Sequence, residues 1–208
     1  MSGQPANDVT DWLAGVDIYL IDQLLKGRFR YGATILEAGC GGGRNLTWFL
    51  RSGFAVHAID TSADAVAQLR GVATHLAPHL PADNFRVEAA EQMSFADSSF
   101  DVVLSIAVLH FAKDEARFHA MLSEMWRVLR PGGTFFARLA STIGIENLVQ
   151  PLGGRRFAVP DGSTRFLVDL EMLLHLTREL NAELLEPIKT VNVQNLRCMT
   201  TWVCRKAG

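Results

Sequence analysis

The chain has 208 residues, of which 49% are hydrophobic and 20% are charged, and its formal net charge is −2. This length suits one domain with a full core, and the small net charge provides no basic field that would attract nucleic acid or an anionic membrane. No apolar run approaches the roughly 20 residues that span a bilayer, and the acidic N-terminus lacks the features of a signal peptide. Three scattered cysteines, Cys40, Cys198 and Cys204, favour free thiols in a reducing cytoplasm.

Apolar residues recur at helical spacing through residues 9–27, which predicts an N-terminal helix that covers the site as a lid. From residue 34 onward, strand patterns alternate with helical patterns, which indicates a parallel sheet with helices on both faces. Strands are predicted at 34–38, 55–59, 85–88, 101–105, 134–139, 184–191 and 198–205. Further helices are predicted at 44–52, 62–76, 114–130 and 169–181.

A glycine-rich turn at residues 39–43 follows the first predicted strand. The glycines at 39, 41 and 43 let the backbone turn sharply and approach a ligand without a Cβ in the way. Such a turn, when it opens a helix, is where open α/β sheets bind nucleotide-like cofactors. Glu37 precedes the turn, and its carboxylate disfavours a pyrophosphate there. It suits a ligand with a cationic amino acid end or with hydroxyls to hold.

A second acidic residue, Asp60, ends the second predicted strand, 23 residues after Glu37. In a βαβ unit, its carboxylate reaches the carboxyl end of the neighbouring strand and can accept hydrogen bonds from both hydroxyls of a ribose. Asp60 could instead cap the next helix, but Ser62 is a second capping candidate, so the two roles are compatible. A nicotinamide-dependent oxidoreductase would also have such an acid.

Two later segments distinguish the chain from a nicotinamide-dependent oxidoreductase. Phe100-Asp101 opens a buried strand, and Pro131-Gly132-Gly133 forms a turn between a helix and the next strand. Together with Glu37, the glycines and Asp60, this ordered set resembles the class I S-adenosylmethionine-dependent methyltransferases over roughly residues 34–139. The resemblance implies a doubly wound, Rossmann-like α/β fold with a seven-stranded, mostly parallel sheet. It also implies S-adenosyl-L-methionine as the cofactor.

The resemblance assigns the cofactor contacts residue by residue. The glycine turn approaches the methionine part, with Glu37 holding the turn or an amino group, and Asp60 binds the ribose. Ala89 stands where the family often has an aspartate that bonds the adenine amine, so Ala90 through its backbone, and Glu91 or Glu88, are the expected substitutes. The full set of expected cofactor residues is Glu37, Gly39, Cys40, Gly41, Gly43, Asp60, Thr61, Ala90, Glu91, Ser105 and Ile106.

The segment 105–110 faces the methyl group in the family. It lacks the polar-Pro-Pro-aromatic run of enzymes that methylate exocyclic amines of nucleic-acid bases, so no nucleic-acid substrate is expected. His110 is the candidate general base, since its ordinary pKa lies near the working range. The alternative is a histidine that packs against the cofactor loop and bonds a backbone group.

Candidate substrate contacts follow from position alone. Trp12 and Tyr19 lie on the expected lid helix, Arg138 lies at the end of the fifth strand, and Arg197 lies in the turn between the last strands. Each of these residues can equally be structural. No metal site is expected, because the histidines and cysteines lack ligand spacing.

The insertion at residues 141–168 interrupts the strand–helix alternation. Its Pro160-Asp161-Gly162-Ser163 turn predicts a hairpin, which we expect over the carboxyl edge of the sheet, where substrates bind. The expected organisation is a single domain over 1–208, comprising a lid helix (1–30), a cofactor-binding core (31–140), the insertion (141–168) and a C-terminal helix and strand pair (169–208).

The sequence therefore predicts a cytoplasmic S-adenosylmethionine-dependent methyltransferase that acts on a small molecule. The Gly43-Arg44-Asn45 end of the glycine turn resembles the tellurite-resistance branch of the family. Two alternatives remain: a nicotinamide-dependent oxidoreductase, and a non-catalytic protein that binds S-adenosylmethionine.

Overall fold

The computed structural model describes residues 12–208. The α-helices that lie wholly within this range are α1 (Ile18–Leu25), α2 (Thr47–Arg51), α3 (Ala63–Leu76), α4 (Glu115–Val128) and α5 (Leu170–Glu179). The strands are β1 (Thr34–Ala38), β2 (Ala55–Asp60), β3 (Phe85–Val87), β4 (Phe100–Ile106), β5 (Leu129–Ser141), β6 (Gln150–Gly153), β7 (Arg156–Ala158), β8 (Thr164–Phe166), β9 (Ala182–Leu184), β10 (Lys189–Val193) and β11 (Arg197–Lys206). Short 3₁₀ turns occupy Ala82–Asn84 and Leu109–Phe111.

The main sheet has the strand order β10-β11-β5-β4-β1-β2-β3, with β9 paired to β11. Strands β1 to β5 pair in parallel, whereas β11 is antiparallel to β5, β9 and β10. The chain moves outward from β1 in one direction and returns to β4 on the other side, so the strand order reverses between β1 and β4. Open α/β sheets bind ligands at the carboxyl ends of the strands beside such a reversal. The predicted doubly wound, mostly parallel sheet is confirmed.

The two faces of the sheet are covered by separate apolar clusters. Phe135 and Phe136 are adjacent on β5 and fully buried, and they belong to opposite clusters because successive side chains of a strand alternate. Helices α4 and α5 cover the Phe135 face, where Trp202 donates a hydrogen bond to Thr177 Oγ1 at 3.0 Å. Helices α1, α2 and α3 cover the Phe136 face.

The N-terminal segment differs from the single helix predicted over 9–27. Residues 9–11 lie outside the described range, and the chain turns at Gly15, whose φ of +79° interrupts the helix. Helix α1 begins afresh at Ile18, capped by Asp17, whose side chain accepts a hydrogen bond from the backbone N–H of Tyr19 at 2.9 Å. Lys26, just past the end of α1, forms an ion pair with Glu186 near the C-terminal strands. The C-terminal end of this helix is therefore anchored near these strands, and its role as a covering lid stays a prediction.

Two other elements differ from their predictions. The strand predicted at 184–191 is split into β9 and β10, because Pro187 between them has no N–H to donate. In the insertion, β7 and β8 flank the predicted turn at 160–163, but β6 also pairs with β7 to make a three-stranded antiparallel sheet. This small sheet approaches the Leu109–Phe111 turn, where Arg165 lies 4.8 Å over the Phe111 ring. Within residues 12–208, no helix has the length and apolarity needed to cross a membrane.

The glycine turn also fixes how α3 packs on the sheet. Gly43 has φ +81°, and a Cβ built there would lie 2.4 Å from Leu69 Cδ1 on α3. Leu69 is fully buried and has little room to withdraw. A residue without a side chain is therefore needed for α3 to lie this close to the turn.

Replacing Gly43 with alanine is expected to destabilise the protein through both backbone strain and overpacking. Gly27→Ala is a matched control, because Gly27 has φ +65° but no atom lies within 4 Å of the place that a Cβ would take there. We expect Gly43→Ala to reduce the free energy of unfolding by about 1–3 kcal/mol more than the control does, measured by urea denaturation. Equal losses in the two variants would contradict the packing role.

Candidate functional site

Two adjoining cavities lie at the carboxyl edge of the sheet, beside the reversal between β1 and β4. The first has a volume of about 300 Å³, and five of the predicted cofactor residues line it: Gly39, Asp60, Thr61, Ala90 and Glu91. The second has a volume of about 310 Å³ and contains Ile106, His110, Arg138 and Arg197. Ala107 lines both cavities and marks their junction.

The glycine turn is tied to the end of β2 and packs against the loop after β4. The backbone N–H groups of Gly39 and Cys40 both donate to the carbonyl oxygen of Ile59, at 2.8 and 3.0 Å. Gly39 has φ +77°, and a Cβ there would lie 2.3 Å from Val108 Cγ2. The glycine therefore allows the two loops that border the first cavity to meet. Burial raises the pKa of the Cys40 thiol well above its usual range, so this thiol stays protonated.

Asp60 is held at the edge of the first cavity by two backbone donors. Its Oδ2 accepts from Gly41 N at 2.8 Å, and its Oδ1 accepts from Ser62 N at 2.9 Å. The Ser62 hydroxyl accepts from Ala65 N at 3.3 Å and is the cap of α3. A carboxylate has about four acceptor sites, so Asp60 retains about two for a ligand. Because Ser62 provides the cap, the capping alternative does not compete with this role.

Glu37 is fully buried beneath the glycine turn. Its Oε1 accepts from Asn45 Nδ2 at 2.8 Å, and Asn45 Oδ1 in turn accepts from Asp17 N at 3.0 Å. Its second oxygen, Oε2, has no hydrogen-bond partner among residues 12–208. Burial raises the pKa of Glu37 to about 8, against the opposing effect of the Asn45 hydrogen bond. A cationic donor at Oε2 would satisfy the atom and favour the ionised carboxylate.

Two carboxylates flank Ala89 at the far end of the first cavity. Glu88 accepts hydrogen bonds from Ser94 N, at 3.0 Å, and from the Ser94 hydroxyl. Glu91 forms an ion pair of 2.9 Å with Arg117, which α4 brings to the cavity wall. Both predicted substitutes for the missing aspartate therefore line the cavity, together with Ala90, which is nearly fully buried.

Five predicted cofactor residues lie behind the cavity surface or outside it. Cys40, Gly41 and Gly43 shape the turn, Glu37 is buried beneath it, and Ser105 is buried on β4 with its hydroxyl unpartnered among residues 12–208. Sequence reasoning missed Phe111, Arg117 and Met121, which line the first cavity from the loop after β4 and from α4, and it included Val108 only as part of the segment 105–110. These residues carry no local motif and come together only through the fold.

Ala107 has an unusual backbone at the junction of the cavities. Its φ of +61° lies in the left-handed region, which is uncommon for a residue other than glycine. Its N–H donates to the carbonyl oxygen of Arg138 at 2.8 Å, which holds the loop against the end of β5. Backbone strain of this kind tends to occur at ligand sites.

His110 lines the second cavity as a neutral ring. The backbone N–H of Ala140 donates to its Nδ1 at 3.1 Å, so the ring proton is on Nε2. Burial, assisted by the nearby positive charge of Arg165, lowers the pKa of His110 to about 4. Nδ1, the ring nitrogen that carries the lone pair, is thus already engaged as the acceptor of this hydrogen bond. The contact predicted by the alternative, a bond to a backbone group, is the one present.

The predicted substrate residues divide into two pairs. Arg138 and Arg197 line the second cavity. Tyr19 lies under Arg138, with the guanidinium carbon 4.2 Å from its ring centre, and Trp12 lies 5.9 Å from the guanidinium carbon of Arg51. Neither aromatic residue lines one of the two cavities. Gly15 separates the two aromatic residues onto different helical segments, and their placement on a covering lid stays a prediction.

A glycine turn and two acidic residues at the reversal point of a doubly wound sheet define a protein that binds a nucleoside-containing cofactor. Residues 36–137 match the family described as the methyltransferase domain. The ubiquinone biosynthesis O-methyltransferase of Caulobacter vibrioides is 37% identical over 106 residues, which are 50% of this chain and 40% of that protein. The chain belongs to the class I S-adenosylmethionine-dependent methyltransferase family.

Solved structures agree at the level of the fold. An S-adenosylmethionine-dependent methyltransferase from Methanosarcina mazei has a TM-score of 0.71 at 20% identity, covering 88% of this chain and 97% of that one. The 1,6-didemethyltoxoflavin-N1-methyltransferase of Burkholderia thailandensis, with bound S-adenosylhomocysteine, has a TM-score of 0.70 at 19% identity, covering 97% of this chain and 82% of that one.

Among residues 12–208, no group of three or more histidine, cysteine, aspartate or glutamate side chains could hold a metal ion.

The buried Glu37 predicts a specific pH dependence of stability. Its folded-state pKa, about 8, lies above its ordinary value of 4.5, so the folded state retains a proton that the unfolded state releases between these values. Stability should therefore fall as pH rises through this window. Glu37→Gln preserves an acceptor for Asn45 but has no charge to bury. From pH 5 to pH 9 we expect the variant to gain stability relative to the wild type by about 1 kcal/mol or more, measured by urea denaturation. Parallel pH profiles would contradict the burial argument.

Proposed function

We propose that this protein transfers a methyl group from S-adenosylmethionine to a small-molecule acceptor. The observation that carries the proposal is the pair of adjoining cavities at the carboxyl edge of the sheet, joined at Ala107. The first cavity has the acidic residues that suit the cofactor, and the second is open for an acceptor. Family membership supports the same activity, although the chain spans only 40% of the curated relative's length.

Residues in and beneath the first cavity fit this cofactor at three points. Beneath the glycine turn, the unpartnered Oε2 of the buried Glu37 suits the ammonium of the methionine part, and in the cavity the remaining acceptor sites of Asp60 suit the two ribose hydroxyls. Glu91 and the backbone of Ala90 suit the adenine end. Gly39 and Thr61 complete the wall, while Cys40, Gly41, Gly43, Ser105 and Ile106 support it from behind or from the neighbouring cavity.

When bound, S-adenosylmethionine would supply an activated methyl group. A lone pair of the acceptor would form the new bond as the methyl–sulfur bond broke, the electron pair of that bond would stay on sulfur, and any proton displaced from the acceptor would pass to water. The protein's main task is then to hold the acceptor in line, and positioning of this kind can lower a barrier by ~7–11 kcal/mol. The neutral Nε2–H of His110 donates a hydrogen bond to the acceptor and orients it. His110 is thus a positioning group, and the general-base role is not needed.

The second cavity supports a small acceptor. Its volume of about 310 Å³ is at the lower end of the range for ligand pockets, and neither nucleic acid nor a membrane is part of the proposal. We also propose a cytoplasmic location. All three cysteines are buried free thiols, which a reducing compartment maintains.

Cofactor identity is tested by thermal-shift titration with S-adenosylmethionine, S-adenosylhomocysteine and NAD. A ligand at 100 times its Kd adds ~2.7 kcal/mol, which corresponds to a rise in Tm of roughly 5–10 °C for a protein of this size. We expect this rise with the two adenosyl compounds and not with NAD. A shift with NAD alone would establish the oxidoreductase alternative. Binding of S-adenosylhomocysteine with no turnover of any acceptor would favour the non-catalytic alternative.

The role of Asp60 is tested by the same titration. Asp60→Ala removes the proposed ribose acceptors, and each hydrogen bond to a charged group is worth about 1.5–3 kcal/mol. We expect this variant to lose most of the shift with S-adenosylhomocysteine. Asp64→Ala removes an equal charge from the first turn of α3 without touching the cavity, so its shift should match the wild type. An unchanged shift in Asp60→Ala would refute the assignment.

The state of His110 is tested by NMR of protein labelled with ¹⁵N-histidine. The lowered pKa, about 4, predicts a neutral ring with its proton on Nε2 throughout pH 5–8. Because the folded state resists protonation, this residue should also reduce stability as pH falls from 6.5 towards 4. His110→Asn, whose amide oxygen can still accept from Ala140 N, identifies the resonances. A midpoint near pH 6.5 would restore the general-base interpretation.

A further inference from the structure

The second cavity has an excess of positive charge in a protein whose net charge is −2. Four arginines line it, Arg44, Arg138, Arg165 and Arg197, against two aspartates, Asp17 and Asp161. His110 adds no further positive charge, because its ring is neutral at physiological pH. A cavity in which one sign of charge predominates attracts ligands of the other sign.

Two of the four arginines already have carboxylate partners. Arg138 Nε lies 3.3 Å from Asp17 Oδ2, and Arg197 lies 3.7 Å from Asp161. Arg44 and Arg165 form no ion pair within residues 12–208; Arg44 donates to the carbonyl oxygen of Gly15 and Arg165 to that of Thr164. Each guanidinium has five N–H donors, so these two residues retain donors for a ligand.

Arg165 is also held in place at the cavity. Its guanidinium carbon lies 4.8 Å from the centre of the Phe111 ring, a cation–π contact that orients the fork. Its charge reaches His110, whose pKa it helps to lower. The insertion therefore supplies a fixed cation to the acceptor cavity, and a fixed guanidinium loses less conformational entropy on binding a carboxylate than a mobile one.

Much of the remaining wall of the cavity is apolar, although Ser141 and Ser163 also line it. Ile106 and Ala140 contribute from β4 and β5, Val159 and Leu167 from the insertion, and Met199 from β11. Such a wall suits a hydrocarbon body, with the few polar groups fixing its orientation. The junction at Ala107 gives that body access to the first cavity.

We propose that the methyl acceptor is a small organic acid, whose carboxylate is bound by Arg165 and Arg44 and whose apolar body extends towards Ala107. This inference rests on the proposed function, since it specifies the acceptor of the same site. The carboxylate serves as the anchor of the acceptor.

The test measures binding of matched acids and amides to protein saturated with S-adenosylhomocysteine. Benzoate, phenylacetate and hexanoate are compared with benzamide, phenylacetamide and hexanamide by isothermal titration calorimetry. We expect each acid that binds to bind at least tenfold more tightly than its amide. Binding of no acid, or equal binding of acids and amides, would overturn the inference.

Charge variants separate the cavity arginines from general electrostatics. Arg165→Gln and Arg44→Gln should each weaken acid binding at least fivefold. Arg178→Gln, an equal charge change on α5 that lines neither cavity, should leave it unchanged. Asp161→Asn releases Arg197 from its partner and removes a competing negative charge, so it should strengthen acid binding. Misfolding cannot produce a gain of affinity. If Asp161→Asn shows no gain and Arg165→Gln binds acids as tightly as the wild type does, the inference would also be overturned.

Failure of the inference and failure of the proposed function give different results. If S-adenosylhomocysteine itself does not bind, the proposed function fails before any acid is added. If it binds to the wild type and to all four variants while acids and amides bind alike, the cofactor site stands and only the acid class is refuted.

Discussion

A chain of polar contacts connects the acid buried beneath the glycine turn with the cationic wall of the acceptor cavity. Glu37 accepts from Asn45, Asn45 accepts from the backbone of Asp17, and the Asp17 carboxylate pairs with Arg138. The same Asp17 caps α1. One path of contacts thus positions the start of the N-terminal helix, the glycine turn and a cavity arginine. Because Glu37 and Arg138 are both buried, these contacts are electrostatically stronger than exposed ones would be.

This arrangement explains why the site depends on segments that are distant in the chain. The cofactor cavity is made largely by short-range features, a turn after β1 and an acid after β2, whose positions follow from the parallel pairing of adjacent strands. The acceptor cavity is assembled from the N-terminal segment, the loop after β4, the insertion and the start of β11. Most of these segments lie outside the parallel strands, which is consistent with one fold serving many reactions.

The sequence was a good guide where function depends on local pattern. The strand before the glycine turn, the position of Asp60 and the Ser62 cap all follow from spacing along the chain. Other features depend on partners that spacing does not reveal. The proton on His110 is fixed by the backbone of Ala140, 30 residues away, and the part played by Arg165 follows from the insertion folding back over the Leu109–Phe111 turn. The prediction of a single helix over residues 9–27 was wrong because the apolar spacing continues through Gly15, whereas the helical backbone is interrupted there.

The left-handed alanine at the junction has a consequence for selectivity by length. Ala107 is held by its hydrogen bond to the Arg138 carbonyl, and a φ of +61° at an alanine persists only where the surrounding structure fixes it. The boundary between the cavities is therefore a fixed reference point, and the insertion that carries Arg165 provides a second one. The length of an acceptor held between Arg165 and Ala107 must therefore match the distance between them. A molecule that is too short does not reach the boundary, and one that is too long does not fit.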